Sequence, residues 1–148
     1  MVRNVLRVAL AATALLGSVF FQPALADQRV QLKVFKARAS QTGQGKQSIV
    51  LITVRLDTKN KSSGKSLCKL APKYLDVIST HLDRKTYALN NKGALDMDMI
   101  QRDLEPVIRK VDRALMILKV EVVQGVQELG KNDVVVNRTG CVLLRKPR

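Results

Sequence analysis

Three segments carry the apolar patterns that decide the fold: LCKLAPKYLDVISTHL at 67–82, DMDMIQRDLEPVIRKV at 96–111 and MILKVEVV at 116–123. In the first two, apolar residues recur every three or four positions, as expected for a helix with one buried face. In the third they alternate with other residues, which is typical of a strand. We therefore expect two amphipathic helices followed by a strand.

The ends of these helices are predicted from capping and proline positions. Residues 58–65 have the composition of a charged loop, and Ser66 is well placed as the N-cap of the first helix. Pro72 either bends the first turns of that helix or moves its start later. Pro106 predicts that the second helix is kinked near Arg102 or divided into two pieces.

Two further strands are predicted before the first helix. Residues 30–35 alternate apolar and polar side chains, and 38–47 are expected to form a loop or hairpin connection. Residues 48–57 give the strongest strand prediction, with Ile49 and Leu51 suggesting partial cover on its second face. The two strands are expected to pair antiparallel.

Together these elements predict a single α+β domain over residues 27–148, with a basic C-terminal tail. We expect a small, mainly antiparallel sheet of three to five strands with the two helices packed on one face. The short apolar runs at 134–136 and 142–144 have the spacing of a hairpin. The shared core is predicted to contain Val50, Ile52, Val54, Leu75, Ile78, Ile100, Leu104, Ile108, Leu118 and Val120.

Residues 1–26 have the order of a secretory signal peptide. Arg3 and Arg7 precede an apolar run at 8–21, and a proline break and small residues lead to Ala26. The apolar run is shorter than the roughly 20 residues of a membrane-spanning helix. We therefore predict cleavage after Ala26 and a periplasmic protein, the alternative being an uncleaved inner-membrane anchor.

The chain is strongly basic, with 26 Lys and Arg against 12 Asp and Glu, a net charge of +14. The predicted signal peptide holds two of the basic and none of the acidic residues, so cleavage leaves +12. Such a surface attracts anionic polymers and lipid headgroups over about 8 Å at physiological salt. Export and an aromatic content of 3% argue against a nucleic-acid partner.

The two cysteines, Cys68 and Cys141, do not form a C-x-x-C pair. In an oxidising compartment this count predicts one structural disulfide. Closing so long a loop stabilises a fold by roughly 4 kcal/mol on the chain-entropy model. The sequence alone leaves open whether the two side chains meet.

The chain contains no phosphate-binding glycine loop, nucleophile elbow or H-E-x-x-H motif. His81 is its one histidine and is interpreted as a surface residue near the end of the first helix. Asp96 and Asp98 could be imagined as an ion site, but carboxylates at a helix start explain them better. We therefore predict a protein that is not an enzyme and that has no cofactor or metal.

A cluster of five lysines spans the loop and the start of the first helix. The simplest interpretation is a solvated basic face, and the alternative is a dedicated anion-binding patch. The candidate patch consists of Lys59, Lys61, Lys65, Lys69 and Lys73.

The order of motifs resembles a known family. TVRLD at 53–57 leads to LAPKYLDVI at 70–78, followed by an acidic-led helix at 96–104 and a strand at 118–123. This pattern, over 48–123, resembles the periplasmic domain of the flagellar basal-body-associated FliL family. The resemblance implies a stomatin-like α+β domain that self-associates beside membrane complexes, such as flagellar stator units, without performing chemistry.

Two functions follow as expectations. The first is a FliL-like exported protein that contacts other proteins at the inner membrane, as a homo-oligomer and in association with the flagellar motor. The alternative is a basic binder of anionic envelope surfaces, either lipid headgroups or cell-wall polymers. Salt separates them, because charge attraction fades at high ionic strength and a packed protein interface persists.

Overall fold

The structure is a computed structural model that describes residues 28–41, 46–136 and 140–144. The predicted signal peptide and the basic tail at 145–148 lie outside the described residues. Within them the chain forms seven strands and three helices: β1 (Gln28–Gln31), β2 (Phe35–Gln41), β3 (Gln47–Thr58), α1 (Lys61–Lys69), α2 (Ala71–Asp83), β4 (Thr86–Leu89), α3 (Met97–Val111), β5 (Ile117–Gln124), β6 (Val134–Val135) and β7 (Val142–Leu144).

The predicted α+β class is confirmed, but the sheet and the helix count are larger than predicted. The described strands form one seven-stranded mixed sheet in place of three to five strands, and three helices replace two. Most pairings are antiparallel, while β4, which was not predicted, pairs parallel with β2. The signal for β4 was weak because it has only four residues and directly follows a helix.

Strand β3 is the centre of the sheet. It pairs antiparallel with β1 and β2, and also with β5. Its side chains at Ile52 and Val54 are fully buried, as predicted. The predicted cover over Ile49 and Leu51 is wrong, because these residues are 64% and 39% exposed. The pairing with β5 begins only at Ile52, so the first half of β3 has fewer neighbours.

The predicted first strand is divided in two. Strand β1 ends at Gln31 and β2 restarts at Phe35, so the burial pattern changes phase between them. The loop predicted from residue 38 is wrong in its first part, because β2 continues to Gln41 with Ala37 and Ala39 buried. Alanines between basic residues give only a weak apolar signal, which explains the error.

Helix α1 begins earlier than predicted. Asn60 is its N-cap, and the Asn60 Oδ1 accepts a hydrogen bond from the Ser63 amide at 2.8 Å. Ser66 is therefore an interior residue of α1, and its predicted role as a cap is wrong. A break at Leu70 starts α2, with Pro72 in its first turn. The predicted first helix is therefore divided at Leu70, and its second part begins next to Pro72. Proline fits a first turn because it has no amide hydrogen, and the first turn has no acceptor for one.

Helix α3 begins after Asp96, as the two helix-start carboxylates predicted, and Asp96 is its N-cap. The Asp96 Oδ1 accepts from the Met99 amide at 3.0 Å, and the helix continues through Pro106 without dividing. Leu115 lies beyond the helix, exposed and with φ of 50°. The turn is held by Asp112, whose buried carboxylate accepts from the Met116 and Ile117 amides, both at 2.9 Å.

A β-bulge changes which side of β5 enters the core. The register with β3 shifts between Asp57 and Thr58, so that Thr58 lies opposite Ile117. Ile117 is therefore buried and Leu118 only partly so, which corrects the predicted core residue Leu118. A bulge of this kind cannot be found from the alternation of β5 alone.

The predicted hairpin and the predicted disulfide are both confirmed. Strand β6 pairs antiparallel with β7, and Cys68 is bonded to Cys141 with Cα atoms 5.5 Å apart. The disulfide joins α1 to the segment that enters β7, and both cysteines belong to the hydrophobic core. Among the described helices, none is long and apolar enough to cross a bilayer.

Candidate functional site

The lysines singled out from the sequence fall into two groups. Lys61, Lys65 and Lys69 recur every four residues along α1 and are exposed, so they form one stripe that we call the lysine face. Lys59 is exposed just before the helix. Lys73 lies in α2, beyond the break at Leu70, and borders a different surface depression. The structure therefore brings together three of the five lysines.

A groove of about 480 Å³ lies beside the lysine face. Such a volume is within the range of small-molecule sites. Its lining combines two lysines and two amide side chains with an apolar wall from the β6–β7 hairpin: Gln28, Lys61, Lys65, Asn132, Val134, Leu143 and Leu144.

The groove lies where α1 packs very closely on β1 and β7. Gly64 is buried at the contact, and a Cβ built there would lie 2.8 Å from the Cγ of Gln28 and 3.1 Å from a methyl of Leu143. Gln28 itself is fixed, since its Nε2 donates to the Leu144 carbonyl at 2.7 Å. A glycine on the buried side of α1 thus holds the lysines on its exposed side next to the hairpin.

The charges of the lysine face are uncompensated. Within residues 28–41, 46–136 and 140–144, none of the five patch lysines makes an ion pair or a side-chain hydrogen bond. Solvated ammonium groups in a row repel one another at short range. An arrangement of this kind can attract an anion without first breaking an internal bond.

The sheet carries charges that are paired instead. Arg29 makes two hydrogen bonds to Asp57, with Nε–Oδ1 at 2.6 Å and Nη2–Oδ2 at 3.1 Å. Glu121 lies 3.1 Å from Arg29 and 3.9 Å from Arg55. The bond to Asp57 raises the pKa of Arg29, against the opposing effect of partial burial. These charges are used in holding β1, β3 and β5 together.

A second polar cluster joins α2, β4 and α3, and sequence reasoning missed it. The Asp103 Oδ2 lies 2.8 Å from the His81 Nε2 and accepts from the Tyr87 hydroxyl at 2.7 Å. Lys85 donates to the Asp103 Oδ1. We call these four residues the Asp103 cluster. Their separation along the chain gives no motif, because the residues meet only when α2 and α3 pack together.

The bonds of the Asp103 cluster shift the pKa values of its members. Partial burial opposes ionisation of Asp103, but the bonds from Lys85, Tyr87 and His81 outweigh it and lower its pKa to about 2. Burial, and then the bond to Asp103, raise the pKa of Tyr87 well above its usual range. The bonds to Asp103 link α2, β4 and α3, so the cluster is a clamp between these elements.

The remaining candidates also have structural explanations. Asp96 caps α3, and Asp98 is exposed in its first turn. Among the described residues, no three His, Cys, Asp or Glu side chains lie together as a metal site would require. Tyr74 is buried, and desolvation followed by the charge of Asp112 raises its pKa to about 12. The lysine face and its groove remain the candidate site.

The chain matches no protein-family model, and comparisons with curated proteins and with solved structures return no match. The relation to the FliL family stays a prediction.

Proposed function

We propose that the protein is a non-enzymatic exported protein that binds anionic envelope surfaces through the lysine face and its groove. The observation that carries the proposal is the row of Lys61, Lys65 and Lys69, exposed and without acidic partners among the described residues. The shared chemistry of the ligand is a phosphate-rich surface, supplied by lipid headgroups or by cell-wall polymers.

The groove adds an apolar component to this attraction. Leu143, Leu144 and Val134 form one wall, while Lys61 and Lys65 stand at the same opening. Lysine side chains bury their methylene stems and keep the ammonium in water. Each lysine near an anionic membrane contributes about 1 kcal/mol, so the three together contribute on the order of 3 kcal/mol. The mature charge of +12 adds a longer-range attraction.

The test is co-sedimentation of the exported chain with vesicles of phosphatidylglycerol, compared with neutral phosphatidylcholine vesicles. We expect binding to the anionic vesicles only, and weaker binding at high salt. The double variant Lys61→Glu/Lys65→Glu should lower the partition coefficient by at least about thirtyfold, because it removes two attractions and adds two repulsions. Polyphosphate as competitor separates a preference for polymers from a preference for lipids.

The matched control reverses two exposed lysines elsewhere, Lys46 and Lys92. The variant Lys46→Glu/Lys92→Glu carries the same net charge, so it should retain most of the binding. Equal losses in the two double variants would mean that diffuse charge, and not the lysine face, drives association. Absence of binding to both the anionic vesicles and polyphosphate would refute the proposal.

The second candidate is the FliL-like role, in which the chain contacts proteins at the inner membrane, flagellar stator units among them. It is favoured by exposed apolar side chains at Ile49 and Leu51 on β3, which a protein partner could cover. This candidate includes helices packed on one face of the sheet, leaving the other face accessible. Unchanged swimming in a deletion strain would remove the flagellar version.

Both candidates include export with cleavage after Ala26 and a periplasmic location. An uncleaved inner-membrane anchor is the alternative. The intact mass of the exported protein decides between them. We expect the mass of residues 27–148, smaller by two hydrogens because Cys68 and Cys141 are bonded.

A further inference from the structure

Strand β5 has one edge that no described strand covers. It spans eight residues and, among the described strands, pairs with β3 alone. The Gly125 amide donates to the Leu51 carbonyl at 2.7 Å, so beyond the bulge the odd-numbered residues from Lys119 to Gly125 direct their backbone groups toward β3. Even-numbered residues, including Val120 and Val122, therefore direct their N–H and C=O groups outward. An uncovered edge of this length is a template for another strand.

Both ends of this edge already accept side-chain hydrogen bonds. The guanidinium of Arg109 donates to the carbonyls of Ile117 and Leu118, the latter at 3.2 Å. At the other end the Gln127 Nε2 donates to the Gln124 carbonyl at 3.1 Å, so the outward groups of Val120 and Val122 remain between them. The available part of the edge is therefore centred near Val120, and the Leu118 carbonyl keeps a second lone pair.

We propose that β5 pairs antiparallel with β5 of a second copy of the chain, about a two-fold axis at Val120. In this register the hydrogen-bonded partners are Val120 with Val120 and Leu118 with Val122, all of them outward-facing positions. The two sheets then continue through the interface as one. The occupant of the edge is thus a second copy, and the contact is isologous.

Charge complementarity selects this register. Lys119 is exposed, and Glu121, which also lies 3.1 Å from Arg29 of its own chain, is two residues further along β5. A two-fold axis at Val120 places Lys119 of each copy opposite Glu121 of the other, twice in the dimer. Moving the axis by one residue would oppose Lys119 to Lys119 or Glu121 to Glu121, which is destabilising. The strand is therefore self-complementary in one antiparallel register.

The exposed apolar residues at the two ends of β5 support the same pairing. Leu115 and Val126 are 66% and 63% exposed, and they precede and follow the strand. Antiparallel pairing about Val120 brings Leu115 of one copy near Val126 of the other. Leu115 also has φ of 50°, a costly conformation for a large L-residue. A glycine would adopt this backbone conformation without strain, yet the residue here is an exposed leucine, which is consistent with its side chain contacting the second copy.

The test is sedimentation equilibrium of the exported chain over a range of concentrations. We expect a monomer–dimer equilibrium, with the Lys119→Glu variant raising the dimer dissociation constant about tenfold, since each copy would then oppose Glu121. The matched control is Lys36→Glu, the same charge change at an exposed position on β2, which should leave the constant within about twofold.

A second variant separates the interface from folding. Leu115→Gly removes the exposed side chain and suits the positive φ, so its melting temperature should not fall while its dimer weakens. A monomer at every accessible concentration overturns the proposal. So does a dimer that Lys119→Glu and Leu115→Gly leave unchanged, because its interface would then lie elsewhere. Neither result depends on vesicle binding by the lysine face.

Discussion

In the part of the chain that the structure describes, basic side chains are unpaired on α1 but contact a carboxylate at the far end of α2. On α1, Lys61, Lys65 and Lys69 stand in water with no acidic partner among the described residues. At the end of α2, His81 and nearby Lys85 converge on one carboxylate, Asp103. Paired charges at the end of α2 hold elements together, and the lysine charges on α1 remain available for a ligand. Net charge alone does not distinguish these two uses.

The largest effect is expected where an unpaired charge is moved away from water altogether. Ile52→Asp would place a carboxylate at a fully buried position of β3. Burying a charge without a partner costs more than a small domain can tolerate, so we expect no folded protein. The measurement is thermal unfolding followed by circular dichroism. Cooperative melting of this variant would contradict the core described above.

The control lies three residues earlier on the same strand. Ile49 is mostly exposed, so Ile49→Asp should retain a cooperative transition close to that of the unchanged chain. Loss of folding in both variants would mean that β3 tolerates no charge on either face. It would contradict the assignment of position 49 as exposed and position 52 as buried.

An intermediate effect is expected from removing the charge at the centre of the Asp103 cluster. Asp103→Asn weakens three hydrogen bonds to a carboxylate and should lower the free energy of unfolding by about 1–3 kcal/mol at neutral pH. Denaturant unfolding measures this loss. Asp83→Asn, which changes an exposed carboxylate at the end of α2, should have little effect.

The same variant has a pH signature. The pKa of Asp103 is lowered to about 2 in the folded chain, from an ordinary value near 3.8. Its contribution is therefore fully present above about pH 4 and is lost as the pH falls toward about 2. The unchanged chain should lose this stability in that window, and Asp103→Asn should not. If the free energy of unfolding fell equally in both proteins as the pH was lowered, the Asp103 carboxylate would have no role in stability.

The smallest effect on stability is expected at the base of the lysine face. Gly64→Ala adds a Cβ 2.8 Å from the Cγ of Gln28. The strain outweighs the gain in helix propensity, so we expect a net loss of about 1 kcal/mol. Because α1 must move away from β7, vesicle binding should also change. Ser62→Ala, at an exposed position of α1, is the control. If Gly64→Ala were as stable as Ser62→Ala, α1 would be loosely packed on the sheet.

The sequence by itself determined the class of fold and a set of core positions, most of which are buried. Ile52, Ile100, Leu104 and Ile108 were found from periodicity, because burial of one face imposes a repeat of 2 or 3.6 on any strand or helix. Asp96 was placed at a helix start for a similarly local reason, since carboxylates are favoured near the positive end of the helix dipole. Cysteine count and export together predicted the bond between Cys68 and Cys141.

Only the tertiary structure decided where the fold departs from these repeats. The bulge that buries Ile117 depends on the partner strand β3, and the parallel pairing of β4 depends on β2. The Asp103 cluster and the groove beside Lys61 and Lys65 join residues far apart in the chain. Such contacts leave no local pattern, because their energy is gained only when distant segments pack together. The lysines were visible in the sequence, and the groove that Lys61 and Lys65 line was not.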